Sequence, residues 1–311
     1  MTSLICGSLA FDTIMSFHGR FSEALLADQL HKINVAFLVP SLRREFGGCA
    51  GNIAYNLKLL NGDPLIMATI GQDGDGYLQR LDALGISARC IQPIPASYTA
   101  QAFITTDAAS NQITAFHPGA MTYSHQNRVA DAGPVKLAII APDGRDGMLQ
   151  HARDCAELGV PFIFDPGQGL PMFDGAELRQ FIELASYVAV NDYEGELLSE
   201  RTGLSFEQIA QQLKALVVTR GEHGAQVFTD GKRIDIPSVP VEQVIDPTGC
   251  GDAFRAGMLY GLTQGMDWPT TGRLASLMGS IKITHQGGQN HAPSVAEIGE
   301  RFQQAFGYRY A

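Results

Sequence analysis

Between Lys136 and Gly221 the chain alternates short apolar runs with stretches of helical periodicity. The apolar runs are KLAIIAP, VPFIFDP, YVAVND and ALVVTRG, and the helical stretches include DGMLQHARDCAELG and SFEQIAQQLK. Runs without polar alternation, separated by helices, are typical of parallel strands buried on both faces. The pattern therefore predicts βαβ units and an α/β fold built on a mostly parallel central sheet.

Each of the four apolar runs ends in a polar residue: Asp143, Asp165, Asn191 and Thr219. Ligands of open α/β sheets bind at the carboxyl ends of the strands, so these side chains are candidates for a functional site. Asp143 precedes Gly144 and Asp165 precedes Pro166, and Asp in such positions is also ordinary turn chemistry. Both interpretations of the two aspartates stay open.

Two regions interrupt this alternation. Residues 14–46 contain the strand-like pieces TIMSFHG and INVAFL around a helical SEALLADQ, and Thr99–Phe116 reads as a hairpin about a polar AASN turn. Neither region has enough helix to extend the layered fold. We expect one domain over residues 1–311, with segments of about 14–46 and 97–118 forming a small β lid on the main sheet.

Composition excludes several classes of protein. The net charge is −10, from 22 Lys+Arg against 32 Asp+Glu, with no basic run, which disfavours a nucleic-acid binder. We expect no membrane partner, because no stretch of about 20 apolar residues is present. The five cysteines form no CxxC pair and no basic leader opens the sequence, so we expect reduced thiols and a cytoplasmic protein.

The stretch DPTGCGDAFRAG, from Asp246 to Gly257, places glycines at the start of a helix. Free N–H groups and the positive end of the helix dipole meet there, and glycine lets a ligand approach the backbone, so the stretch predicts a phosphate site. In that first turn Asp252 can accept a proton from an incoming hydroxyl during phosphoryl transfer. The alternative is that Asp252 only satisfies the dipole. The helix that follows should turn four residues toward the sheet: Phe254, Gly257, Met258 and Gly261.

A second glycine cluster, FGGCAGNIAYNLKLLNG, begins at Phe46. Gly47 and Gly48 precede a helix expected to end at Asn61-Gly62, and Asn52 in its first turn offers both a donor and an acceptor to a polyol. Asp12, at the end of the GSLAFD stretch, can bind two vicinal hydroxyls. These residues predict a site for a hydroxylated acceptor.

The NDYE stretch places Asn191 and Glu194 three residues apart on one helix face. They could hold hydrated Mg²⁺ near phosphates, since this ion keeps several waters and uses few carboxylates. The alternative is that Asn191 or Asp192 caps the helix. The VVTRGEHGA stretch, with Thr219, Gly221 and Gly224, could run along a nucleotide.

These motifs, in this order along essentially the whole chain, resemble the ribokinase-type (PfkB-type) family of carbohydrate and nucleoside kinases. The late motif, usually DTxGAGD, is specific, and here Pro247 and Cys250 replace the usual Thr and Ala. The resemblance implies a three-layer ribokinase-like fold and an ATP-dependent kinase with Mg²⁺.

The resemblance also assigns roles to residues. It makes Asp252 the base that deprotonates the acceptor hydroxyl, and it makes Gly249, Cys250 and Gly251 the anion hole. By the resemblance, Asn191 and Glu194 would govern magnesium binding. Four residues would hold the sugar: Asp12, Gly47, Gly48 and Asn52. Thr219, Gly221 and the late KITHQGGQN stretch match the surroundings of ATP. Many members also bind a monovalent cation, and Asp246, the Thr248 carbonyl and carbonyls near Gly287 could hold K⁺ here.

The lid suggests the acceptor. GNIAYNL and NQITAFHPGAM resemble bacterial adenosine kinases, and apolar lid residues could pack on a purine: Phe37, Phe103, Phe116 and Met121. The alternative is that they form the lid's own packing or a homodimer contact through the lid. We therefore expect adenosine as acceptor, with ribose, fructose or a related sugar as the alternative.

A competing mechanism makes Cys250 a thiolate nucleophile at a helix N-terminus. The nearby carboxylate of Asp252 opposes it, because a negative charge raises the pKa of the thiol.

Overall fold

The computed structural model describes residues 1–25, 34–109 and 111–310 of the chain. In this part the strands are β1 Thr2–Cys6, β2 Ala10–Ser16, β3 Ser41–Gly47, β4 Asp63–Gly71, β5 Ser87–Ile94, β6 Ala100–Thr106, β7 Gln112–His117, β8 Leu137–Ile140, β9 Phe162–Phe164, β10 Tyr187–Asn191, β11 Ala215–Thr219, β12 Ala225–Thr229 and β13 Lys232–Ile236. The α-helices are α1 Phe21–Ala24, α2 Cys49–Leu59, α3 Asp75–Ala83, α4 Arg145–Glu157, α5 Gly175–Leu184, α6 Asp192–Thr202, α7 Phe206–Ala210, α8 Cys250–Gln264, α9 Trp268–Ile283 and α10 Val295–Phe306. Within these residues no helix is long and apolar enough to span a bilayer.

The central sheet has nine strands in the order β13-β12-β11-β10-β9-β8-β1-β4-β5. The strands from β11 to β5 run parallel, and β12 and β13 add an antiparallel edge. The four apolar runs of the sequence are β8, β9, β10 and β11, all adjacent and parallel. The α/β prediction with a mostly parallel sheet is therefore confirmed.

Helices cover both faces of the sheet, which gives three layers. Successive residues of one strand belong to opposite cores: Ile139 packs in the core with α2, α3 and α8, and Ile140 packs in the core with α4 to α7. This division follows from the alternation of side chains along a strand. It explains why the runs have no polar face.

Four other strands form a smaller sheet, in the order β3-β2-β6-β7, which is the lid. The hairpin of β6 and β7 is antiparallel, as predicted, and β6 pairs parallel with β2. The expected strand in INVAFL is wrong: residues 34–38 have no regular structure, and β3 begins at Ser41 instead. Of the helical SEALLADQ, the described part ends at Leu25, with α1 covering Phe21–Ala24, and the rest lies outside the described residues.

Helix α8 differs in part from the prediction. Phe254 and Met258 pack in the core beneath the sheet, as expected. Gly257 does not face the sheet, because a Cβ there would lie 2.5 Å from the Ala275 Cα of α9. Gly261 likewise faces Thr271 of α9. These glycines allow two helices to approach closely, a tertiary role that helical spacing alone does not reveal.

Candidate active site

A cleft of about 800 Å³ lies between the carboxyl ends of the central strands and the lid. It is lined by ten of the residues predicted for the site: Asp12, Gly48, Asn52, Asn191, Glu194, Thr219, Thr248, Gly249, Gly251 and Asp252. Five others are not among its lining residues: Gly47, Gly221, Gly224, Asp246 and Cys250. The two glycine loops, about 200 residues apart in sequence, thus meet at one cavity.

Asp252 and Asn52 connect these loops. Asn52 Nδ2 donates to Asp252 Oδ2 at 2.8 Å, and Gln289 Nε2 donates to Asn52 Oδ1 at 3.1 Å, which orients the amide. Burial raises the pKa of Asp252 to about 7, with Asp165 adding to the rise and the Asn52 hydrogen bond opposing it. A carboxylate with a pKa near neutrality is suited to general-base work.

The loop before α8 is shaped by internal hydrogen bonds. Asp246 Oδ1 accepts from Thr248 N at 2.9 Å, and Gly249 takes a left-handed conformation, with φ of 77°, as the residue that caps α8. The Cys250 N–H donates to the Pro247 carbonyl at 3.2 Å, so it closes the turn. The first-turn amides of Gly251 and Asp252 have no intrahelical acceptor by virtue of their position, and they sit at the cleft.

Asp12 lies across the cleft, on β2. Burial raises its pKa to about 6, and the nearby charges of Asp246 and Glu45 raise it further. A Cβ at Gly47 would lie 2.6 Å from Asp12 Oδ2, so any residue other than glycine would displace this carboxylate. Gly48 has a φ of 85°, and a Cβ there would lie 2.5 Å from the Ser8 carbonyl oxygen. Gly47 thus acts behind the carboxylate rather than at the cleft surface.

Asn191 and Glu194 form a capping box at the start of α6. Glu194 N donates to Asn191 Oδ1 at 2.7 Å, and Asn191 N donates to Glu194 Oε2 at 2.8 Å. Asn191 therefore caps the helix, as the alternative interpretation had it. The capping hydrogen bond uses Glu194 Oε2, so Oε1 is the carboxylate oxygen that takes no part in the capping box. Burial raises the pKa of Glu194, opposed by the hydrogen bond from Asn191.

The residues predicted to run along a nucleotide are not all at the cleft. Thr219 ends β11 and lines the cleft. Just beyond it Gly221 begins a short 3₁₀ turn and Gly224 follows that turn, with φ of 53° and 79°. A Cβ at Gly224 would lie 2.0 Å from the Ile236 carbonyl oxygen, so this glycine serves the packing of the β11–β12 connection on β13.

Arg255 also lines the cleft, although no sequence motif indicated it. It is 4% exposed, and its Nη2 donates to Asp165 Oδ1 at 3.0 Å and to the Ala189 carbonyl at 3.2 Å. Its Nε and Nη1 have no partner among the described residues, and the side chain lines the cleft. An arginine three residues after Asp252, within an apolar helix, was the signal available in the sequence.

The two strand-end aspartates also reach the cleft. Asp165 lines it as the partner of Arg255, and Asp143 lines it with 1% exposure. Asp143 Oδ1 accepts from Gly144 N at 2.9 Å, while Oδ2 has no partner in the described chain. Burial raises the pKa of Asp143 to about 8, and the Gly144 hydrogen bond opposes that rise.

The lid residues divide into two groups. Phe116 and Met121 line the cleft together with Ile104. Phe37 packs on Phe17 and Phe21 instead, with ring centroids 4.8 and 5.2 Å apart, so it belongs to the lid's own packing. Phe103 follows Ala102, a cleft residue, and therefore points to the opposite face of the lid, where it is 40% exposed.

The surroundings of Cys250 do not favour its thiolate form, which is the form a nucleophile would need. Burial raises its pKa to about 11, and the attraction of Lys282 only partly opposes that rise. Its Sγ lies 3.9 Å from the Asp246 carbonyl oxygen. A thiol that stays protonated at neutral pH does not support the competing thiolate mechanism.

Among the described residues, no cluster of three His, Cys, Asp or Glu side chains could bind a metal by itself. An ion here would need ligands from a bound nucleotide or from water. Glu194 Oε1 at the cleft is suited to that arrangement, since Mg²⁺ is commonly held by one carboxylate, waters and substrate phosphates.

Known proteins share the fold and much of the sequence of this chain. The family model for the pfkB family carbohydrate kinases matches residues 10–295. A structure of the nucleoside kinase of Burkholderia thailandensis in complex with inosine superposes with a TM-score of 0.90, at 59% identity over 99% of each chain. The nucleoside kinase of Methanocaldococcus jannaschii is 29% identical, covering 87% of this chain and 89% of that protein. The ribokinase of Bacillus subtilis is 24% identical, covering 95% and 97%.

Proposed function

The chain belongs to the pfkB family of carbohydrate kinases, and we propose that it phosphorylates the hydroxymethyl group of a purine nucleoside, with adenosine, giving AMP, as the first candidate. It is an ATP-dependent phosphotransferase whose acceptor is an alcohol group of a nucleoside or a sugar. The similar Burkholderia protein carries inosine in its complex, which supports a purine nucleoside here.

One observation carries the proposal: polar and apolar recognition groups share a single cleft. Asp252 and Asn52 supply the hydroxyl-binding and proton-accepting end. Phe116, Ile104 and Met121 of the lid side supply an apolar surface in the same cavity. A free sugar presents mostly hydroxyls, whereas a purine adds a flat apolar face that gains from burial.

In this proposal each group has a defined task. Asp252 accepts the proton of the acceptor hydroxyl, and the hydroxyl oxygen forms a bond to the terminal phosphorus of ATP while the bond from that phosphorus to ADP breaks and ADP leaves. The amides of Gly251 and Asp252, at the positive end of α8, stabilise the developing negative charge, and Arg255 adds its guanidinium from the floor of the cleft. Asp12 binds the vicinal hydroxyls of the ribose with charge-assisted hydrogen bonds. Glu194 would hold Mg²⁺ through water, and the ion would neutralise phosphate charge when bound.

The role of Asp252 is tested by Asp252→Asn. The amide cannot act as a base, so kcat should fall by about 10²-fold or more while ATP affinity stays nearly unchanged. Asp192→Asn, at an exposed position on α6, is the matched control and should keep wild-type kcat. A kcat near wild type in the Asp252 variant would show that Asp252 is only a partner of the helix dipole.

The acceptor is tested by comparing kcat/KM for adenosine, inosine, ribose and fructose with saturating MgATP. Adenosine should exceed ribose and fructose by at least about tenfold, since burying an apolar face of this size is worth more than 1.4 kcal/mol. Preference for a sugar would make the alternative, a sugar kinase related to the ribokinases, the correct assignment, and Asp252 would keep its role.

The lid's part in nucleoside binding is tested by Phe116→Ala. Truncation removes apolar surface from the cleft, so KM for adenosine should rise by about tenfold or more, while KM for ribose should change little. Leu158→Ala, at an exposed apolar residue after α4 that does not line the cleft, is the control and should leave both KM values unchanged. Equal losses for both substrates would place Phe116 in the lid's packing alone.

The outer face of the lid also supports a proposed homodimer. Phe103 is 40% and Ile113 is 45% exposed, and both lie on the lid face opposite the cleft residues Ile104 and Thr114. Burying this face against a second copy would remove it from water. Sedimentation velocity should give a dimer, which Phe103→Glu converts to a monomer while Leu158→Glu, at an exposed apolar residue after α4, does not. A wild-type monomer would refute this interface.

A further inference from the structure

Lys282, in the last turn of α9, is completely buried beneath the loop that forms the anion site. Its Nζ donates to the Asp246 carbonyl at 2.6 Å and to the His285 carbonyl at 2.9 Å. In the described part of the chain no carboxylate lies within ion-pair distance of this ammonium. A buried charge that is paired only with carbonyl groups is costly, so its position invites a functional explanation.

The ammonium joins the two segments that frame the anion site. Asp246 begins the turn that ends at Gly249, and His285 belongs to the segment that follows α9. The second link between these segments is the Gly287 N–H, which donates to Asp246 Oδ2 at 2.8 Å. Without Lys282, the carbonyl of Asp246 would lose its charged donor, and the loop that aims the amides of Gly251 and Asp252 would lose an anchor.

The same contacts bear on the K⁺ hypothesis for this loop. Asp246 Oδ1 and Oδ2 accept from the amides of Thr248 and Gly287, and its carbonyl oxygen accepts from Lys282. Each of these oxygens already accepts one internal hydrogen bond, and a K⁺ ion bound to them would lie beside an ammonium of the same charge, which would repel it. The residues present therefore do not fit a K⁺ ion as a required component.

We propose that Lys282 is a built-in cation that positions the anion loop, so that this enzyme works without K⁺. Lys282 is a positioning residue: it contacts the loop backbone and leaves phosphate binding to the amides. The ammonium satisfies the carbonyl oxygens of Asp246 and His285, which a small monovalent cation could otherwise bind. Replacing the ammonium by an apolar group should therefore create a cation site and a cation dependence.

The first test compares wild-type turnover of adenosine and inosine in potassium chloride and in tetramethylammonium chloride at equal ionic strength. The two kcat values should agree within about twofold, because the salts screen charges equally. A requirement for K⁺ in the wild-type enzyme would overturn the inference. This result needs no variant, and it is distinct from failure of the proposed function, which would appear as no turnover of nucleosides in either salt.

The second test uses Lys282→Met. Loss of charged hydrogen bonds to a buried loop should lower kcat in tetramethylammonium by about 10- to 10²-fold, with little change in KM for the nucleoside. Potassium or ammonium chloride should restore part of the activity, which a purely structural defect would not allow. Lys136→Met is the matched control, because Lys136 Nζ also donates to a helix carbonyl, that of Thr263 at 2.5 Å, and it should show neither loss nor rescue.

A third measurement does not depend on activity. Crystals soaked in thallium(I), an anomalous scatterer that substitutes for K⁺, should show no peak at the Asp246 and His285 carbonyls of the wild type. Lys282→Met crystals should show a peak there. Thallium bound beside Lys282 in the wild type would refute the built-in cation, whether or not the enzyme turns over.

Discussion

The hydrogen bond from Asn52 to Asp252 predicts a specific change in the pH dependence of the reaction. Asn52 Nδ2 lies 2.8 Å from Asp252 Oδ2 and stabilises the ionised carboxylate. Only this ionised form accepts a proton, so activity should be lost as the pH falls through the pKa of Asp252, which is about 7. At pH 6 about a tenth of the enzyme would carry the active base. The wild-type kcat/KM should therefore drop steeply between pH 8 and pH 6.

Removing the hydrogen bond in Asn52→Ala should raise this midpoint. A hydrogen bond to a charged group contributes about 1.5 to 3 kcal/mol, and we take the lower end because water in the cleft replaces part of it. One pKa unit corresponds to about 1.4 kcal/mol, so the midpoint should move from about 7 to about 8. At pH 7 the ionised fraction should fall about fivefold, on top of any loss of nucleoside binding, and it should recover above pH 9.

The assay is kcat/KM for adenosine across pH 5.5 to 9.5, with ADP release followed in a coupled reaction. Titration of ATP itself affects both enzymes equally, so the difference between their midpoints is the observable. Gln289→Ala, which frees the Asn52 amide to rotate, should give a smaller shift in the same direction. Titration of Asp12, whose pKa is about 6, should give a second break in the pH profile, below that of Asp252. Asn52 does not contribute to the pKa of Asp12, so this lower break should stay in place in Asn52→Ala. An unchanged upper midpoint in Asn52→Ala would refute the assignment of this pKa to Asp252.

Three further predictions follow from the cleft. Cys250→Ala should keep kcat within about threefold of the wild type, because a thiol with a pKa of about 11 contributes no nucleophile; complete loss would revive the thiolate mechanism. Asp12→Asn should raise KM for the acceptor by about tenfold or more without changing KM for ATP, since charge-assisted hydrogen bonds are the stronger kind; an unchanged acceptor KM would place the sugar elsewhere. Gly48→Ala should lower the melting temperature by several degrees, because its φ of 85° and the nearby Ser8 carbonyl oxygen exclude a Cβ, whereas Gly76→Ala, with open space around its Cβ position, should not.

The parallel arrangement of the central strands was predictable from the sequence, whereas their order in the sheet, with β1 between β8 and β4, came from the structure. The runs that became β8 to β11 lack polar alternation because both faces of each strand are buried, and this information is local. A helix start beside the glycines of DPTGCGD was predictable for the same reason, whereas the left-handed conformation of Gly249 and the first helical residue, Cys250, came from the structure. The irregular backbone was harder to predict. INVAFL has the composition of a strand, but residues 34–38 form none. The strand that pairs with β2 is Ser41–Gly47 instead.

Three side chains of the cleft, Asp252, Asn52 and Asp12, could be identified from the motifs around them, because those motifs have recognisable local chemistry. Arg255, inside an apolar helix, could not. How these groups act on one another depends on tertiary contacts. The pKa of Asp252 depends on burial and on Asn52, a residue 200 positions away. The role proposed for Lys282 depends on backbone carbonyls, which no pattern of side chains reveals. Electrostatic effects act through space over a few ångströms, so they are set by contacts between distant parts of the chain rather than by its local order.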